Sequence, residues 1–233
     1  MRFSTSALLN DFAIRCFRDI ADGDYIAARM ACRAGLLAQY LWASQQAVEK
    51  YLKCVLLLRR IPARRVFHDL DAAIRAIDNS GKLQFAFTEP SRKYIHYLDT
   101  FGRFRYLETS HWGDGSDIVR LDQVVWEIRR YCTLAPVSAQ LEKGSPAPRV
   151  TLANGYLEQI INGSQNHARE ALVWQNAFFG KRTRRRVRVG GWAKGVNSPL
   201  ALHPEILDEV TKYVFVPREV CEYFRNGATP AQR

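Results

Sequence analysis

The sequence predicts an all-α fold, an antiparallel helical bundle followed by a C-terminal helical extension. The first observation behind this is the stretch Trp42–Leu58. There Leu41, Ala47, Val48, Tyr51, Leu52, Val55 and Leu58 form a wide apolar stripe at helical spacing, and Gln45, Gln46, Glu49, Lys50 and Lys53 fill the remainder. Such a helix is suited to near-enclosure by other helices. The second is that apolar residues recur at three and four on both sides of this stretch. The third is composition: 47% apolar and 24% charged residues in a chain of 233 describe a globular protein with enough chain for one substantial core or two small ones.

Taken in order, Leu8, Leu9, Phe12, Ala13, Phe17 and Ile20 predict a first helix that ends near Asp22-Gly23. Asp24 then caps a second through Tyr25, Ile26, Met30 and Ala31 to about Arg33, and Gly35 marks either a break or a close helix contact. The central helix follows, then a loop from Arg59 to Phe67 with Pro62 and four arginines. A short helix over Asp69–Ala76 stops at Asn79-Ser80-Gly81. Glu89-Pro90 opens the next helix, with Tyr94, Ile95, Leu98 and Phe101 inward, and Gly102 ends or bends it. Trp112-Gly113-Asp114-Gly115-Ser116-Asp117 reads as a loop, and Leu121, Val124, Val125 and Ile128 resume a helix to about Cys132.

Pro136–Pro148 is rich in Pro, Ser, Gly and Ala, which places a linker there and divides the chain into a bundle, residues 1–142, and a basic extension, residues 149–233. Within the extension the spacing predicts a long helix from about Asn154 to Phe179, weakened at Gly163, and two short helices after Pro204 and Pro217. No internal repeat is present.

The net charge of +11 favours polyanionic partners, nucleic acid first among them. Its densest expression is Lys181, Arg182, Arg184, Arg185, Arg186 and Arg188, six basic residues in eight. Arginine offers planar bidentate donors that match phosphate oxygens and also stacks on bases. The alternative is a solvated turn at a helix C-terminus, where cations sit favourably. Arg184, Arg186 and Arg188 alternate with Arg185, Val187 and Val189, a pattern that fits a short strand or an extended arm. Trp192, Lys194 and Trp174 add either stacking surfaces or core anchors.

The words Ser44-Gln45-Gln46-Ala47-Val48-Glu49-Lys50-Tyr51-Leu52-Lys53 and His68-Asp69-Leu70, together with Ala21–Arg29 upstream and Arg103-Phe104-Arg105-Tyr106 downstream, resemble the HEPN domain family over roughly Phe17–Ile128. Leu107 stands where many members have proline. The resemblance implies a helical bundle acting as a homodimer, RNA or nucleotide as ligand, and a toxin-antitoxin or defence setting with a minimal nucleotidyltransferase as partner. In nuclease members an arginine, four to six intervening residues and then a histidine form the site between two protomers. Arg105 and His111 satisfy that spacing with five intervening residues, while Arg92 and His96, at a helix start and on one face, have three. Histidine moves the proton of a ribose hydroxyl or leaving oxygen, and arginine stabilises charge on phosphorus, with no metal required. His68 most economically caps or orients the helix that follows it.

No cofactor or metal is expected. Phosphate-cradling glycine motifs, His-Glu-x-x-His and Gly-x-Ser-x-Gly are missing, and no ligand-spaced cluster occurs. The Asp69 and Asp71 pair lacks the preceding Gly-Ser of a nucleotidyltransferase. Cys16, Cys32, Cys54, Cys132 and Cys221 are scattered, odd in number and never spaced as CxxC, which fits buried residues in a reducing compartment. With no apolar run near the ~20 residues of a membrane span and no cleavable leader pattern, a cytosolic location is expected. RNA or nucleotide binding is the leading expectation. A metal-independent endoribonuclease and a helical protein-protein adaptor are the alternatives.

Overall fold

A computed structural model describes residues 5–63, 66, 68–102, 110–133, 155–164, 166–180, 193–196, 200, 204–212 and 216–226. The chain is helical without interruption from Thr5 to Arg33, as α1 (Thr5–Ala13), a π-helical turn (Ile14–Arg18) and α2 (Asp19–Arg33). The stop expected at Asp22-Gly23 does not occur. Asp22 is fully buried and accepts hydrogen bonds from Tyr51 Oη at 2.6 Å and Arg129 Nε at 2.8 Å, so other elements satisfy it and its own helix continues. Asp24, expected as a cap, pairs with Lys50. Gly35 is the true break. With φ at 73° it lets its own N–H reach Cys32 O at 3.0 Å and that of Leu36 reach Ala31 O at 2.9 Å, which closes the last turn of α2.

Helix α3 (Leu37–Leu58) begins four residues before the expected stripe and lies at the centre, against α2, α4 (Leu70–Asn79), α5 (Glu89–Phe101) and α6 (Asp117–Arg129). Leu41, Ala47, Val48, Tyr51, Leu52 and Val55 are buried as the stripe requires. Ser44, Gln45 and Glu49 are buried too. They are tolerated because Ser44 donates to Tyr40 O at 2.7 Å and Gln45 donates to Glu49 at 3.1 Å. Asp69 caps α4, accepting from Ala72 N at 2.5 Å, and Thr88 caps α5 with Pro90 in its first turn.

The expected loop at Trp112 opens instead as a strand. β1 (His111–Asp114) pairs antiparallel with β2 (Ala193–Val196), with Trp112 opposite Gly195 and Asp114 opposite Ala193. This four-residue ribbon is an addition to an all-α architecture.

The single long helix expected over 154–179 is two short ones, α7 (Tyr156–Asn162) and α8 (His167–Val173). Gly163 is extended at ψ 179°, and Asn166 restarts the helix by accepting from Arg169 N at 2.9 Å. Leu157, Ile160, Ala171, Leu172 and Phe179 enter the same core as α2–α6, so the first part of the expected extension completes the bundle. The linker stretch 136–148 lies outside the described residues. Leu200, Leu207, Val216, Val220 and Cys221 make a second, small cluster around helices Leu207–Val210 and Arg218–Arg225. All five cysteines are free, four of them buried and Cys16 exposed. Among the described residues no helix is long and apolar enough to cross a membrane, and no side-chain cluster has the make-up of a metal site.

Candidate nucleic-acid interface

The basic residues Lys181, Arg182, Arg184, Arg185, Arg186 and Arg188 lie outside the described residues, but the chain on either side of them is placed. On one side, Phe179 is buried with its ring 5.7 Å from that of Tyr25 and 5.5 Å from that of Trp126. Asn176 fixes the approach: its Oδ1 accepts from Phe178 N and Phe179 N at 2.9 Å each, and its Nδ2 donates to Tyr25 Oη at 2.8 Å. On the other side, Ala193 pairs with Asp114 in the ribbon. Residues 181–192 therefore join two points that are both attached to the bundle.

Two polar locks hold this arrangement. In the first, Arg29 and Asp122 form an ion pair with both side chains fully buried. Arg29 also donates to the carbonyls of Ala171, at 2.8 Å, and Trp174, tying the end of α8 to α2. Burial pushes the Asp122 carboxyl up to about 6, against the pull of Arg29 and the hydrogen bonds from Arg29 and Tyr25. In the second, Arg129 donates to Asp22 and, at 2.6 and 2.8 Å, to both oxygens of Glu158 on α7. These contacts hold Glu158 below the usual carboxylate range although burial opposes its charge.

A third polar cluster occupies the junction of α3, α4 and α5. Glu49 lies 3.0 Å from His68 Nδ1, and Lys53 donates to it at 2.5 Å. Burial works against the Glu49 charge, yet the hydrogen bonds from Lys53 and His68 hold its carboxyl below the ordinary range. Asp99 accepts from Leu70 N at 2.7 Å, and His96 Nδ1 lies 2.9 Å from Asp71. Both imidazoles meet their carboxylates through Nδ1 and are otherwise exposed.

The residues singled out from sequence are distributed as follows. Arg105 lies outside the described residues, and His111 opens β1 opposite Val196. Arg92 sits over the Phe87 ring at 5.6 Å while His96 meets Asp71, so the two have separate partners. His68 orients the start of α4 through Glu49, and Asp69 supplies the cap. Sequence reasoning missed Asp22, Arg29, Asp122, Arg129 and Asn176. Charged residues inside apolar periodicity were the only signal available for the first four.

These elements define a small helical-bundle domain built around one enclosed helix with a polar corner at α4. The family model of the HEPN domain matches residues 14–111, and this part of the chain is similar to that family. The match runs from the π-helical turn to the first residue of β1, so α6, α7, α8 and β2 lie beyond it. No curated protein and no solved structure matches the chain.

Proposed function

We propose that the protein binds RNA through the basic residues 181–188, which lie in sequence between Phe179 of the core and Ala193 of the ribbon. The observation that supports this reading most is the double attachment of that stretch: Phe179 is inside the core, and Ala193 is paired to the strand that begins where the family match ends. Six positive side chains confined between two fixed points lose less freedom on meeting a phosphate chain than they would on a free tail. A solvated turn at a helix end gains nothing from that attachment. Replacing Arg184, Arg185 and Arg186 together with glutamine is expected to weaken single-stranded RNA binding at least tenfold at fixed salt, measured by fluorescence anisotropy. Unchanged affinity in the folded variant overturns the reading.

One observation favours a second reading. His111 is paired with Val196, on the strand that follows the basic stretch in sequence, so one member of the candidate Arg105 and His111 pair stands on the same ribbon as the chain leaving that stretch. In this reading His111 is general acid or base, Arg105 holds the scissile phosphate, and a homodimer completes the site. RNA cleavage in EDTA that disappears in folded His111→Ala and Arg105→Ala variants supports it. Cleavage that survives both sinks it. A minimal nucleotidyltransferase partner belongs to the same proposal and is tested by co-purification.

A further inference from the structure

The turn between α2 and α3 leaves an open cleft of about 270 Å³ lined by Cys32, Arg33, Leu36, Leu37, Tyr40 and Trp174. Its floor is uncharged and apolar. Leu37 and Tyr40 are buried, the Tyr40 hydroxyl is occupied by Tyr94 Oη at 2.6 Å, and burial pushes the Cys32 thiol up to about 11. Leu36, by contrast, is 50% exposed at the rim. The opposite wall is Trp174, whose ring lies beneath the Arg33 guanidinium, 5.8 Å from centroid to cation.

Trp174 is held there deliberately. Its carbonyl accepts from the buried Arg29, and the next residue, Gln175, adopts φ 50°, a left-handed conformation that a non-glycine side chain enters at a cost. The bond from Arg29 to the Trp174 carbonyl, and those that Asn176 Oδ1 accepts from Phe178 N and Phe179 N, over-determine this turn, whose Trp174 lines the cleft.

The cleft also lies between the two supports of the basic stretch. Trp174 precedes Gly180 on one support. Leu37 touches the other: a Cβ at Gly113 of β1 would lie 2.8 Å from Leu37 Cδ1. A partner for this surface must present a flat apolar group a short distance from negative charge. The polyanion whose repeating unit has that form is a single-stranded nucleic acid, with a π-face on every base and a phosphate between each pair.

We propose that the α2–α3 cleft receives one unpaired base of a single-stranded RNA, stacked on Trp174 beside Arg33. This rests on the RNA-binding reading above. It makes Trp174 and Arg33 binding residues that select single-stranded over duplex RNA.

The test measures the affinity of the full chain for a 12-nucleotide single-stranded RNA and for a duplex RNA of the same length, in the wild type and in Trp174→Ala, Trp174→Phe and Arg33→Gln. Folding of each variant is checked by circular dichroism and thermal melting. Trp174→Ala is expected to weaken single-strand binding by roughly five- to a hundredfold, the range for losing one base stack, with duplex binding and salt dependence unchanged. Trp174→Phe retains most of the affinity. Equal single-strand affinity in wild type and Trp174→Ala overturns the cleft while leaving the RNA-binding reading intact, and so does an equal loss for both RNAs. A wild type that binds neither RNA overturns both.

Discussion

The family-matched part of the chain and the segment that follows it are held by different forces. Within residues 14–111 the organising contact is the apolar stripe of α3, enclosed by α2, α4 and α5. The segment α7–α8 adds apolar residues to that core, but its position is fixed by charge: Arg129 bridges Asp22 to Glu158, and Arg29 bridges Asp122 to the carbonyls after α8. Apolar burial is non-directional and fails gradually, because a truncated side chain leaves a cavity that its surroundings partly fill. A buried ion pair is directional and fails abruptly, because removing one partner strands the other charge away from water. The first kind of contact builds a bundle. The second selects one placement for the segment that leads to the basic stretch.

The largest expected effect breaks the second region. Arg29→Met leaves Asp122, fully buried, without its counter-ion and is expected to cost about 3–5 kcal/mol in denaturant unfolding. The double variant Arg29→Met with Asp122→Leu is expected to recover most of that loss, since two apolar groups need no partners. No recovery would mean that the bonds to Ala171 and Trp174 carry the lock alone. In the first region, Leu52→Ala opens a cavity under the centre of α3, where Leu52 is fully buried, and is expected to cost about 3 kcal/mol in a single cooperative transition. A smaller effect belongs to the α4 cap: Asp69→Ala removes the acceptor for Ala72 N and is expected to cost about 1 kcal/mol.

Acid titration sharpens the same comparison, because two carboxylates respond in opposite directions. Asp122 has a folded value near 6 against an ordinary 3.8, so the native state holds its proton more tightly. Its contribution is most favourable below pH 3.8 and is lost as pH rises toward 6. Glu49 is lowered in the folded state, so its contribution is present above the ordinary glutamate value and is lost as pH falls through the folded one. Stability of Asp122→Asn measured across pH 4–6 should rise relative to wild type as pH increases. Glu49→Gln should lessen the loss of stability on acidification. Identical pH profiles for both variants and wild type would remove the distinction.

The legibility of the chain follows the same division. The α3 stripe, the Asp69 cap and the Pro90 opening of α5 were readable because their signals lie within one helix turn or one apolar period. The break expected at Asp22-Gly23 was misread for a physical reason: an aspartate before glycine ordinarily ends a helix, but here Tyr51, Arg129 and the Leu157 N–H supply its partners. Those partners lie 29, 107 and 135 residues away, beyond the reach of local pattern. The β1–β2 ribbon was missed because its strands are four residues long and Gly113 and Gly195 interrupt any alternation. Of the candidate site, the basic stretch was evident from composition. Its double attachment was not, because it depends on Asn176 and on a strand pairing across some eighty residues.

The most direct measurement is the salt dependence of single-stranded RNA affinity, with wild type and the Arg184, Arg185 and Arg186 to glutamine variant titrated side by side. Each lost phosphate contact should make the slope of log affinity against log salt shallower by about 0.7, so a difference of about 2 is expected. Equal slopes would contradict phosphate recognition by this stretch and, with it, the proposed RNA interface.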